Sequence, residues 1–152
     1  MSKLTAYFSA SGNTAQKAKA FAEANGTDIY EIKPEAPYSP ADVKWTNPLA
    51  RCNKEWIKKT RPTLSDKDAK IESYDTVYLF FPIWYFTAPL IIRGFLEAYD
   101  FSGKKVVLFA TSGGSEFGKT AQHLRESAPN ADIIEGEVLN GTYSEDDYKK
   151  LV

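Results

Sequence analysis

At 152 residues and 17.0 kDa the chain has the length of one domain, and 43% hydrophobic against 26% charged residues is the balance of a folded core. Nineteen basic against twenty acidic side chains, net −1, leave no basic surface for nucleic acid, and one Cys and one His exclude an intrachain disulfide and a multi-His metal centre. No apolar run reaches bilayer length and no cleavable leader opens the chain, so the expectation is a single domain over 1–152, soluble and cytoplasmic, with no membrane partner.

Residues 3–9, KLTAYFS, are short, β-prone and apolar, the pattern of a strand buried on both faces. Polar SASGNT follows, and Ala15, Ala18, Phe21 and Ala22 then recur at helical spacing until Asn25-Gly26 stops the helix. TDIYEIK over 27–33 alternates as a second strand, which completes a strand–helix–strand unit. Prolines 34, 37 and 40 mark a turn-rich stretch, with a helix expected from Pro48 to about Lys59 and a loop over 62–70. TVYLFFPIW is the most apolar run and reads as a central strand ending near Pro82. PLIIRGFLEAY over 89–99 reads as a helix with Pro in its first turn. KVVLFAT over 105–111 is a further buried strand, and a helix is expected from about Glu116 to Ser127. Residues 131–140 hold one strand or two short pieces, and Ser144 caps a last helix rich in acid at its start.

Strands that alternate with helices predict an α/β fold, a doubly wound three-layer sandwich on a five-stranded parallel sheet. In such folds ligands sit beyond the carboxyl ends of the strands. Three loops lie there. Ser9, Ala10, Ser11, Gly12, Asn13 and Thr14 join a buried strand to a helix N-terminus, where free N–H groups, hydroxyls and the helix dipole favour an anion. The loop lacks GK[ST] and is not GxGxxG, so it suits a monophosphate ester rather than a nucleotide triphosphate or a dinucleotide. Pro82, Ile83, Trp84, Tyr85 and Phe86 leave the central strand with three consecutive aromatics, which suit either core packing or stacking on a planar ring. Thr111, Ser112, Gly113, Gly114 and Ser115 let backbone N–H groups approach the polar edge of such a ring. Phosphate, ring and polar edge are the three parts of flavin mononucleotide (FMN).

The segments YFSASGNT at 7–14, FPIWYFTAP at 81–89 and FLEAYDFSGKKVVLFATSGGSEFG at 95–118 resemble the short-chain flavodoxins, over most of the chain. The resemblance implies strand order 2-1-3-4-5 and noncovalent FMN. It puts the phosphate on 9–14, the isoalloxazine ring by 82–86 and the pyrimidine edge by 111–115. It implies an electron carrier between redox partner proteins, a monomer or weak dimer, with no catalytic side chain and no metal. An FMN-dependent NAD(P)H:quinone-type reductase is the alternative.

Three features depart from the family. The chain is nearly neutral where the carriers are strongly acidic, which weakens steering toward a basic reductase. The ring loop has no glycine, so a left-handed residue there would cost about 1 kcal/mol or more, and weaker stabilisation of the half-reduced flavin is expected. Lys44, Arg51, Lys54, Lys58, Lys59 and Arg61 crowd one segment, where a solvated helix face is the expectation and an acidic partner the alternative. His123 falls off the apolar stripe of its helix and is expected to be exposed, Cys52 to be half-buried, and Trp45 and Trp56 to pack.

Overall fold

The computed structural model describes residues 2–9, 12–44, 46–66, 68–85, 87–112 and 116–152. In chain order the elements are β1 (Lys3–Tyr7), α1 (Asn13–Asn25), β2 (Asp28–Glu31), α2 (Arg51–Lys58), β3 (Thr76–Pro82), α3 (Leu90–Ala98), β4 (Lys105–Thr111), α4 (Thr120–Ser127), β5 (Asp132–Val138) and α5 (Glu145–Lys149). Short 3₁₀ turns at Ala41–Val43 and Ile71–Ser73 punctuate the connections. The five strands form one parallel sheet in the order β2-β1-β3-β4-β5. Lys3, Thr76, Lys105 and Asp132 pair in sequence across it, so the starts of four strands align and their ends reach one edge together.

The period of two sorts side chains onto two cores. Leu4, Ala6 and Phe8, Val77, Leu79 and Phe81, and Val106, Leu108 and Ala110 share the face covered by α3 and α4, with Ile91, Ile92, Phe95 and Leu124 packed on them. Tyr7, Tyr78, Phe80, Val107 and Phe109 face α1 and α5. Phe21 of α1, fully buried, centres that second core, with ring centroids 4.9, 5.2 and 5.3 Å from Tyr78, Phe80 and Phe109. Each such aromatic pair adds roughly 0.5–1.5 kcal/mol beyond area burial. Thr5 is the polar intruder on this face, and its hydroxyl pairs with that of Thr27 at 2.5 Å.

The segment 131–140 is one strand with a bulge. Leu108 pairs with Glu135 but Ala110 with Val138, so β5 carries an extra residue. Gly136 lies at that step, where a Cβ would stand 2.6 Å from the Leu108 carbonyl oxygen. The last helix is short but anchored. Ser144 and Asp147 cap one another through both backbone N–H groups, Tyr148 is buried, and Asn25 Nδ2 donates to the Tyr148 carbonyl. Helix starts differ from the expected ones at α2, which begins at Arg51 rather than Pro48, and at α4, which begins at Thr120 rather than Glu116.

Candidate functional site

The loops after β1, β3 and β4 meet at the sheet edge around a cleft of about 420 Å³, lined by Asn13, Lys17, Pro82, Ile83, Trp84, Thr111, Ser112, Leu139 and Asn140. Ala10, Ser11, Phe86, Gly113, Gly114 and Ser115, all candidate site residues, lie outside the described residues, as does Trp45.

A local hydrogen bond to a side chain and a left-handed glycine shape the described part of the first loop. Gly12 has φ +96°, a left-handed position that L side chains rarely adopt, and its N–H donates to Ser9 Oγ at 3.0 Å. Gly12 is the N-cap of α1, and its side is open because a Cβ there would meet nothing within 4 Å. Gly12 offers no side chain to cap the helix, and a helix start whose N–H groups lack such a cap suits an anion. Asn13 is exposed beside them, whereas Thr14 is buried and its hydroxyl pairs with that of Thr111 at 2.8 Å. Two hydroxyls share one bond, which leaves one O–H for a ligand. This contact ties the first loop to the third across 97 residues of sequence.

Ser112, at the start of the third loop, is braced from just beyond β5. Asn140 Oδ1 accepts from Ser112 N at 2.8 Å and its Nδ2 donates to Ser112 Oγ at 3.0 Å. Lys17 reaches from α1 to the Gly141 carbonyl at 2.7 Å, which puts a cation on the cleft wall, one turn beyond the helix start. Neither Asn140 nor Lys17 is among the three sequence-derived loops. The turn after β5 ends at the same sheet edge, and the rule that ligands gather there reaches it too.

The second loop turns back sharply. Trp84 N donates to the Thr87 carbonyl at 2.9 Å and Thr87 N to the Trp84 carbonyl at 3.2 Å. A two-residue turn of this kind favours positive φ at its first inner position, usually supplied by Gly or Asn. Here Tyr85 supplies it, at φ +56°. The left-handed residue foreseen as costly is therefore present without a glycine. Helix α2 holds it: the Tyr85 ring stacks on Trp56 at 5.1 Å and 12°, and its phenol donates to Asn53 Oδ1 and approaches Cys52 Sγ at 3.5 Å. Burial, then the Cys52 contact, pushes the Tyr85 phenol well above its ordinary value. The Tyr85 ring is thus engaged with α2, while Trp84 lines the cleft. Trp84 is half-buried, set edge-on against Phe8 at 5.7 Å and Tyr38 at 5.5 Å.

The other end of this turn is held by α4. Thr87, 4% exposed, shares a hydrogen bond with His123 Nδ1 at 2.8 Å. His123 is half-buried, not exposed, because it stands one turn after buried Thr120 and meets the buried Thr87. Burial, then the nearby Arg93 guanidinium, lowers its pKa below the ordinary histidine value. Cys52 is buried rather than half-buried, because it faces the ring loop. Trp56 does pack, as expected, and its partner is the ring loop itself.

The basic segment divides. Arg51 pairs with Glu55 at 2.9 Å and lies 3.9 Å over the Tyr38 ring, Arg61 pairs with Glu97, and Lys59 sits 3.6 Å over Trp56. Lys54 and Lys58 stay on the outer face, in agreement with a solvated helix face.

The family model described as flavodoxin matches residues 2–152. No curated protein matches the chain. A solved structure from Bacteroides eggerthii DSM 20697, provisionally named a flavoprotein, is 42% identical with a TM-score of 0.89, over 99% of this chain and 92% of that one. Another from Bacteroides uniformis ATCC 8492, named likewise, is 41% identical with a TM-score of 0.90, over 98% of this chain and 96% of that one. A flavoprotein in complex with FMN from Lactobacillus acidophilus NCFM shares the fold at 20% identity, with a TM-score of 0.67 over 88% and 90% of the two chains. With the strand order and the match along its whole length, the chain belongs to the flavodoxin family.

Proposed function

We propose that this flavodoxin-family chain binds FMN noncovalently in the cleft between its three loops and carries electrons between redox proteins. The observation that carries the reading is the convergence itself. One cleft is bordered by the start of α1 with its left-handed Gly12 N-cap, by the aromatic Trp84, and by Thr111 and Ser112. The donors fit the group. The N–H groups of Asn13 and Thr14, with one hydroxyl of the Thr14–Thr111 pair, would hold the phosphate, and Lys17 adds a cation nearby. Pro82, Ile83 and Trp84 would border the ring, and Thr111 and Ser112 its polar edge. The bound flavin supplies reversible electron transfer. The chain's residues anchor the phosphate, exclude water from one side of the ring, and fix the turn that faces it.

Titration with FMN, followed by quenching of flavin fluorescence, tests the binding. Riboflavin, which lacks the phosphate, should bind at least about tenfold more weakly if the helix start holds the phosphate. Equal affinities would remove the first loop from the site. The same holoprotein, given NAD(P)H and a quinone with no partner protein, separates carrier from reductase. Turnover above that of free FMN would replace the carrier reading with the enzyme.

A further inference from the structure

Helix α2 presents two unlike faces. Its inner face is spent on the site: Cys52 is buried, Glu55 accepts from the Tyr38 hydroxyl, and Trp56 stacks on Tyr85. Lys54, Ile57 and Lys58 follow at helical spacing on the opposite side, and all three are exposed. Ile57 is 74% exposed, as is Leu49 just before the helix, and they are the two most exposed large hydrophobics among the described residues. Lys54 and Lys58 enter no ion pair among the described residues. From Lys44 to Arg61 the chain carries six cations and one carboxylate, although the protein as a whole is slightly acidic. The excess acid appears on the other flank of the cleft, where Glu116, Glu135 and Glu137 border a hollow that shares Asn140 with it.

We infer that the outer face of α2, built on Lys54, Ile57 and Lys58 with Leu49 beside it, is the docking surface for a redox protein that presents an acidic patch around an apolar centre. The inference rests on the electron-transfer reading and names its partner. Exposed aliphatic side chains ringed by charge match the layout of protein interfaces, with an apolar centre and a polar rim. Unpaired lysines favour carboxylates, and they raise the encounter rate as well as affinity. Placement adds function to affinity. Through Trp56 and Tyr85 the helix is packed against the turn that borders the cleft, so a partner seated on α2 lies beside the site. The basic and acidic flanks give that partner one preferred orientation. An anionic lipid surface fits less well, because interfacial helices bury a continuous apolar stripe and α2 turns out a single aliphatic residue between two lysines.

The probe is a fluorescein-labelled, Glu-rich peptide with two central leucines, followed by fluorescence anisotropy on the holoprotein. Binding should weaken steeply as salt rises. Lys54→Glu with Lys58→Glu should reduce affinity at least about tenfold, and Ile57→Ser several-fold, while flavin quenching stays at the wild-type level in both variants. Binding that survives the double charge reversal overturns the inference, as does no binding to the wild type. Stronger attachment to anionic phosphatidylserine vesicles than to the peptide would reassign the face to lipid. Self-association in sedimentation, lost in the double variant, would reassign it to the acidic flank of a second copy. Failure of FMN to bind is read from the quenching alone, so it separates the fall of the flavin reading from the fall of the docking surface.

Discussion

The first and second loops of the site reach their shapes by opposite routes. Around Gly12 the first loop rests on local terms: Gly12 takes a left-handed φ that costs glycine little, its N–H returns to Ser9, and its carbonyl accepts from Gln16 N as α1 begins. The turn from Trp84 to Thr87 puts a tyrosine where a glycine belongs, and two distant helices hold it. Trp56 and Asn53 grip Tyr85 from α2, and His123 grips Thr87 from α4. The difference teaches that a left-handed residue in a ligand loop need not be a glycine when tertiary contacts outweigh its cost, about 1–2 kcal/mol.

Substitution at Gly12 should give the largest effect, because its left-handed φ is one that only glycine adopts at little cost. Gly12→Val leaves the φ of +96° incompatible with a β-branched side chain, although the space beside it is open. A loss of about 2 kcal/mol in urea unfolding is expected, with FMN affinity down by more than about tenfold. A Gly12→Val protein as stable as the wild type would show that the loop has another shape in solution.

Next comes Trp56→Ala, which touches the cleft only through Tyr85. Removing the stack should cost about 1.5 kcal/mol and weaken FMN several-fold if α2 positions the ring loop. Lost stability with unchanged flavin affinity would confine α2 to packing. A finer test is the cycle of Tyr85→Phe with Asn53→Ala, where a coupling of about 1 kcal/mol is expected from the phenol's hydrogen bond. Additive single effects would break the claim that Asn53 holds the tyrosine.

The smallest expected effect is on pH dependence. His123 titrates lower in the fold than in the unfolded chain, mainly through burial and then through Arg93. The unfolded state therefore binds more protons below about pH 6.5, and stability falls as pH drops through that value toward the lower folded pKa. Above it, both states are neutral at this residue and the contribution is flat. His123→Gln should flatten part of the slope between about pH 7.5 and about pH 5.5 relative to wild type, leaving the carboxylate contributions in place. Identical slopes would mean that the fold does not lower the titration of His123.

Much of the fold is legible in the residues. Alternating strands and helices and buried apolar runs point to a five-stranded parallel sheet, and the order that the flavodoxin resemblance implies is the order the sheet has. Periodicity places Phe21 inward because its neighbours at helical spacing are small and apolar. The helix carrying His123 shows the limit. The expected inward stripe of Ala121, Leu124 and Ala128 is buried, but the stripe alone does not show that His123, three residues after buried Thr120, meets Thr87 of the ring loop. Cys52 and Trp56 look like parts of a basic surface helix, and only the packing of that helix on Tyr85 assigns its inner side.

Local chemistry decides the alternation of strands and helices and the left-handed glycine before α1, because backbone freedom at glycine, helix-start chemistry and hydrophobic period act within a few residues. Tertiary structure alone decided what joins the loops: the Thr14–Thr111 hydroxyl pair, the Asn140 brace on Ser112, and the left-handed Tyr85 between two helices. These contacts cross from about 30 to nearly 100 residues of chain, and a side chain's local preference carries no information about the partner that will overrule it.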